Sequence, residues 1–138
     1  MAFQINTQMV NGKFVPIGNN GWYKRGGERA FYDQQPLEAC AMAEAAIDAF
    51  YATKDKNYLK IADTAFQWFL GKNSKKVMMY NPATSGCFDG ITPDKVNMNQ
   101  GAESSISYLM ARLKIEEVKQ NPEKKQVAAK IIDNNTFT

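Results

Sequence analysis

The apolar residues in the middle of the chain repeat with the period of an α-helix. From Leu37 to Ala52 there is no helix breaker, alanine takes seven positions, and small or apolar residues lie on nearly every side. A helix of this kind is usually buried among other helices. A second run over 57–70 places apolar residues at i, i+3, i+4 and i+7, and Gly71 follows it as a terminator. The pattern therefore predicts an αα-hairpin over 34–71.

A third helical pattern begins near Asn99, and we expect this helix to be exposed to solvent by about residue 119. The connector 72–98 that precedes it is rich in turn signals such as Asn-Pro and Asp-Gly. Three helices joined by long loops predict an all-α domain. The stripe that we expect the third helix to bury consists of Ala102, Ile106, Leu109, Met110 and Leu113.

The two ends of the chain lack a strong helical period. Residues 1–33 contain Asn-Gly and Gly-Gly turn signals and several aromatic residues. They predict an irregular, loop-rich segment packed on the domain, with one short extended pair around Asn11-Gly12. Residues 34–120 form the predicted helical domain. Residues 121–138 are polar and basic, and they predict a weak helix or a tail.

The composition excludes several kinds of chemistry. The chain has 138 residues, enough for one domain, and contains no histidine. Its absence removes Ser-His-Asp and Cys-His catalysis and every histidine-ligated metal site. Two cysteines, Cys40 and Cys87, are too few for a zinc site. We therefore predict neither a metal nor a cofactor.

Charge and hydropathy also restrict the partners. The net charge of +3 comes from scattered lysines, so we expect no nucleic acid as a partner. The sequence shows no signal peptide and no apolar run of membrane-spanning length, so we expect no membrane partner and a cytoplasmic location. The alanine-rich first helix has too few helical neighbours to cover it, which predicts self-association or a place in a larger chain.

Two long loops end in polar clusters at predicted helix starts, at 29–36 and 97–104. Helix starts present unpaired N–H donors, and amide and carboxyl groups beside aromatic rings suit the hydroxyls and flat faces of sugars. Glycoside chemistry without histidine rests on paired carboxylates. The candidate catalytic residues are Asp33, Asp89 and Glu103. The candidate sugar contacts are Trp22, Arg29, Gln34, Gln35, Asn99 and Gln100.

Capping is the alternative explanation for both clusters. Asp33 and Asn99 have the side chains of N-caps, and Glu103 lies where a first-turn capping residue would. Asp89 fits equally well as the first residue of an Asp-Gly turn. If the clusters instead form one pocket, the first and third helices should lie side by side and roughly parallel, with both N-termini on one face and Trp22 packed near it.

Several sequence blocks together resemble the C-terminal part of bacterial six-hairpin, glycosidase-like (α/α) toroid domains, which are often associated with glycosyltransferases. The resemblance covers about residues 12–115. The most specific blocks are DQQP at 33–36, GCFDG at 86–90 and NQGAES at 99–104, in that order. The others are FVPIGNNGW at 14–22, GGERAFY at 26–32, ATKDKNYL at 52–59 and WFLGKN at 68–73.

This resemblance implies an (α/α) barrel whose inner-helix starts line a sugar-binding funnel. The chain would supply about one and a half to two of the six hairpins, as a partial toroid. The function expected from it is a carbohydrate-active or carbohydrate-binding fragment, with a sugar or oligosaccharide as ligand. The alternative is a non-catalytic helical scaffold or interaction domain that supports a glycosyltransferase.

Overall fold

The computed structural model describes residues 1–120, and the predicted tail at 121–138 lies outside the described residues. Within that range there are four helices and six two-residue strands. The helices are α1 (Ala2–Gln8), α2 (Pro36–Thr53), α3 (Asn57–Gln67) and α4 (Ala102–Gln120). The strands are β1 (Met9–Val10), β2 (Lys13–Phe14), β3 (Tyr80–Asn81), β4 (Gly86–Cys87), β5 (Gly90–Ile91) and β6 (Val96–Asn97).

The all-α prediction, and with it the partial toroid, is wrong, because the chain forms a mixed α/β domain. Of the described residues, 46% are helical and 14% lie in strands or isolated β-bridges, and consecutive strands pair into three antiparallel two-stranded sheets. Two of these sheets lie in the connector 72–98, whose turn signals predicted only loops. A strand of two residues is too short to show alternating polarity, so only its pairing partner defines it.

Within residues 1–33, one prediction is confirmed and one element was missed. Met9 pairs with Phe14 and Val10 with Lys13, which is the extended pair predicted around the Asn11-Gly12 turn. Asn11 has a φ of 50° and Gly12 a φ of 74°, as hairpin turns of this length require. The missed element is α1, which has only seven residues and no side-chain cap at its start.

The three longer helices follow the predicted runs closely. α2 begins with Pro36 in its first turn, where a missing N–H disrupts nothing, and it ends at Lys54 in a left-handed conformation. α2 packs between α3 and α4. Its contact face is made of small residues, since Ala39, Ala43 and Ala46 are completely buried. The small side chains allow neighbouring backbones to approach closely.

The core beneath these helices is aromatic and contains both thiols. Phe14, Trp68 and Phe69 are fully buried, and Trp68 packs edge-on against Phe69 with ring centroids 5.4 Å apart. Cys40 in α2 and Cys87 in β4 are buried and unpaired. Burial raises the pKa of the Cys40 thiol to about 11 and that of Cys87 to about 12.

The buried stripe predicted for α4 is wrong, because those residues face outward. Exposed fractions are 55% for Ile106, 52% for Leu109, 44% for Met110 and 59% for Leu113, and Ala102 is exposed as well. The face turned to the core instead carries Ser104, Ser107, Tyr108, Ala111, Ile115 and Val118. Its serines and alanine permit a close approach to the alanine face of α2. Close packing, rather than the number of apolar residues on a face, therefore determines which face of α4 is buried.

α2 and α4 begin at the same end of the domain, as the pocket hypothesis predicted. Gln34, just before α2, exchanges two backbone hydrogen bonds of 2.9 Å with Ile91. Asp89, two residues before Ile91, accepts a 2.7 Å hydrogen bond from the Gly101 N–H at the start of α4. At the opposite end, Phe50 of α2 and Ile115 of α4 line one cavity. The two helices therefore run side by side and roughly parallel.

Candidate functional site

Asp89 caps α4 from a distant point in the sequence. Its carboxylate accepts hydrogen bonds from the Ser104 hydroxyl at 2.6 Å, the Gly101 N–H at 2.7 Å and the Asn99 side-chain amide. The Ser104 hydroxyl is the main reason that the pKa of Asp89 lies below its usual value, with the other two donors assisting. These contacts favour the capping explanation for this cluster, with Asp89 rather than Asn99 as the cap.

The remaining polar residues of the second cluster hold loops together or face solvent. The Gln100 side-chain carbonyl accepts a hydrogen bond from the Thr84 hydroxyl. A Cβ atom at Gly86 would meet this Gln100 oxygen at 2.2 Å, so the amide lies tightly against the backbone of β4. Glu103 is exposed in the first turn of α4. Within residues 1–120 its carboxylate has no hydrogen-bond partner.

In the first cluster, Gln34 is a structural residue of the core. It is fully buried, and its side-chain amide donates to the Phe31 carbonyl at 2.9 Å and to the Ser74 hydroxyl at 2.7 Å. Its side-chain oxygen accepts from the Trp68 indole N–H at 3.0 Å. All the hydrogen-bonding groups of the side chain are therefore engaged. Asp33 beside it is half-buried.

Gln35 connects the start of α2 to a carboxyl that the sequence did not single out. Its backbone N–H donates to Glu38 Oε2 at 3.1 Å, the acidic half of a capping box. Burial raises the pKa of Glu38 to about 7, although the Gln35 N–H and the nearby Arg29 guanidinium both favour the charged form. At neutral pH this carboxyl can therefore either donate or accept a hydrogen bond.

The Glu38 side chain lines a cavity of about 520 Å³ between α1, the loop before α2 and the first half of α2. The cavity lining is Met1, Phe3, Gln4, Gln8, Ile17, Trp22, Tyr23, Glu38, Ala41, Met42 and Ala45. Its lining combines apolar side chains, three aromatic rings, two amides and one carboxyl. Sites for small molecules usually show this mixture of apolar surface and a few polar groups.

Two of the three aromatic rings of this cavity, those of Trp22 and Tyr23, are held on a hydrogen-bonded loop, and the third, that of Phe3, lies in α1. Trp22 is 59% exposed, yet its backbone is fixed on both sides by hydrogen bonds with Gly18 and Ala30. Tyr23 stacks on Phe3, with ring centroids 5.9 Å apart and planes 19° from parallel. Trp22 therefore lies beside the N-terminal half of α2, in a rigid setting and with most of its ring surface available.

Arg29 supports the cavity wall from behind. Its guanidinium donates to the carbonyls of Thr7, Val15 and Pro16 and lies 4.7 Å from the centre of the Phe31 ring. Burial lowers its pKa, and Nε is buried without a partner within residues 1–120. The side chain thus joins α1 and the segment after β2 to the loop before α2. Its observed role is positioning.

The cavity brings together only part of the predicted site. Trp22 lines it and Arg29 braces it, whereas Asp33, Asp89 and Glu103 are not among its lining residues. Glu38 and Phe3 line the cavity but were not predicted as site residues. The spacing of Gln35 and Glu38 is a capping-box signal that could have drawn attention to Glu38. No sequence signal indicated that α1 would close the other side.

Comparison with known protein families and with curated proteins gives no match to this chain. None of the helices within residues 1–120 has both the length and the apolar character needed to cross a lipid bilayer.

Proposed function

We propose that this chain binds a carbohydrate in the cavity lined by Trp22, Tyr23, Phe3 and Glu38. The observation that supports the proposal is the presence of exposed aromatic faces around one carboxyl in a single cavity. Aromatic faces stack on the C–H faces of sugar rings, and a carboxyl that can donate or accept matches hydroxyl groups in either orientation.

We propose carbohydrate binding and do not propose catalysis. Glycoside hydrolysis usually needs two carboxyl groups on either side of the scissile bond. Glu38 supplies one carboxyl to the cavity, while the carboxylate of Asp89 is occupied in capping α4.

We also propose a cytoplasmic location, supported by two cysteines that remain free thiols, as is usual in reducing compartments.

Replacing Trp22 with alanine is expected to weaken oligosaccharide binding by about tenfold, because one stacking face is lost. The melting temperature should stay within about 2 °C of that of the unchanged protein, since most of the Trp22 ring lies in solvent. Titration calorimetry against a panel of oligosaccharides and a thermal melt measure the two quantities. Met98→Ala, at a residue that is 67% exposed and outside the cavity, is the matched control. Unchanged binding by Trp22→Ala would contradict the proposal.

A second candidate function, as an interaction domain, is supported by the outer face of α4. Ile106, Leu109, Met110 and Leu113 form an exposed stripe at the spacing of one helical face. We propose a second copy of this chain as its occupant, because an apolar helical stripe can pack against itself about a two-fold axis. Each of the four side chains is only 44–59% exposed, and four residues are far fewer than the roughly 20–30 per side of a standard interface. The association should therefore be weak.

Light scattering across micromolar to millimolar concentrations is expected to show a rising average mass for the unchanged protein. Leu109→Lys places a charge in the centre of the stripe and should keep the chain monomeric without unfolding it, since the residue is already 52% exposed. Leu37→Lys, at an exposed position on α2, should associate like the unchanged protein. A constant monomer mass over the whole range would refute self-association.

A further inference from the structure

A second depression adjoins the sugar cavity and carries positive charge. Its volume is about 330 Å³, and Phe3, Tyr23, Lys24, Arg25 and Gly26 line it. The stacked pair of Phe3 and Tyr23 belongs to both depressions, so it forms the ridge between them. A ligand longer than one sugar ring can lie across this ridge. Its first unit would then contact Trp22 and its next unit would reach the two cations.

The backbone holds the two cations at the tip of a turn. Tyr23 and Arg29 form an isolated antiparallel bridge, and the Gly27 N–H donates to the Lys24 carbonyl at 2.9 Å. Gly26 has a φ of 76°, in the left-handed region that favours glycine. Lys24 and Arg25 are both exposed. Neither is within ion-pair distance of a carboxylate in the part of the chain that the structure describes.

Glu38, whose carboxyl lines the first depression, repels an anionic ligand in the second depression only weakly. Burial raises its pKa to about 7, which favours the uncharged form relative to an exposed glutamate. The charged side chains that line the second depression are therefore the two cations Lys24 and Arg25. Arg in particular presents paired N–H donors that match the two oxygens of a carboxylate.

We propose that the groove formed by the two depressions takes an oligosaccharide of uronic acids, with a sugar carboxylate seated at Lys24 and Arg25. This inference rests on the proposed function, since the neighbouring sugar unit stacks in the cavity at Trp22. It adds the ligand class, an acidic sugar in place of a neutral one. The contribution of the two exposed cations is electrostatic and falls as salt screens it.

The test compares trigalacturonic acid with its methyl ester, which keeps the rings and hydroxyls and lacks the charge. The unchanged protein is expected to bind the acid about fivefold more tightly than the ester at low ionic strength. The variant with Lys24→Ala and Arg25→Ala should bind both forms equally, at the affinity of the ester. The control with Lys60→Ala and Lys72→Ala removes the same charge at exposed positions elsewhere and should keep the preference.

The outcomes separate this inference from the proposed function. If the unchanged protein binds acid and ester equally, or if the Lys24 and Arg25 variant keeps the preference, the inference is overturned while carbohydrate binding stands. If the unchanged protein binds neither trigalacturonate form nor any neutral oligosaccharide in the panel used for Trp22→Ala, the proposed function is overturned and the inference falls with it.

Discussion

Replacing Gly18 with alanine is expected to lower the free energy of unfolding by about 4 kcal/mol, a large share of the stability of a small domain. A Cβ atom at Gly18 would lie 1.9 Å from the Tyr32 carbonyl oxygen and 2.3 Å from Tyr32 N. Both are backbone atoms, so no side-chain rotation relieves the overlap. The Gly18 N–H also donates to the Ala30 carbonyl at 2.8 Å, and this hydrogen bond would be lost if the segments separated.

Urea denaturation followed by circular dichroism measures this change, and Gly27→Ala is the control. A Cβ atom at Gly27 would meet its nearest neighbour, the Lys24 carbonyl, at 3.4 Å, an ordinary contact. The control should therefore shift stability by less than about 1 kcal/mol. Equal midpoints for the two variants would show that the loop carrying Trp22 does not approach Tyr32 this closely.

Replacing Asp89 with alanine is expected to lower the free energy of unfolding by about 2 kcal/mol at neutral pH. The substitution removes the acceptor for the Gly101 N–H, the Ser104 hydroxyl and the Asn99 amide at once. The loss is moderated by solvent, which can reach part of this cluster. Asp94→Ala, in an exposed turn of the same connector, should leave stability nearly unchanged.

The effect of Asp89 should depend on pH in a defined direction. Because the pKa of this carboxyl is lowered in the folded state, its contribution is complete above the ordinary aspartate value of about 4 and disappears as pH falls through the lowered pKa. The difference in stability between the unchanged protein and Asp89→Ala should therefore be constant near neutrality and shrink below about pH 4. A difference that grows on acidification would contradict the capping role.

The elements predicted correctly are those whose signals are local. α2 follows Pro36 and an uninterrupted alanine-rich run, and the first hairpin follows Asn11-Gly12, so neighbouring residues determine both. The strands in the connector 72–98 were not predictable in this way, because each contains two residues and exists through pairing with its partner. The hydrophobic pattern therefore predicted the three longer helices, and it missed α1 and the two sheets of the connector 72–98.

The site required information that lies far apart in the sequence. The cap of α4 comes from Asp89, and the choice of α4's buried face follows from Ser107 and Ala111 fitting α2, although the opposite face is more apolar. Trp22 was predicted as a sugar contact because an aromatic ring in a turn-rich loop can stack on a ligand. Glu38 acquires its altered pKa only when α1 and the loop before α2 cover the start of α2, an effect of tertiary burial.

The two buried thiols make chemical modification a direct report on the motions of the core. The thiolate is the reactive form of cysteine, and burial keeps both Cys40 and Cys87 protonated at neutral pH. Alkylating reagents therefore reach these sulfur atoms when the surrounding helices and strands open. Cys40 lies near the start of α2, whereas Cys87 lies in β4 close to the start of α4. Their separate rates of alkylation would therefore compare the opening of the two helix starts.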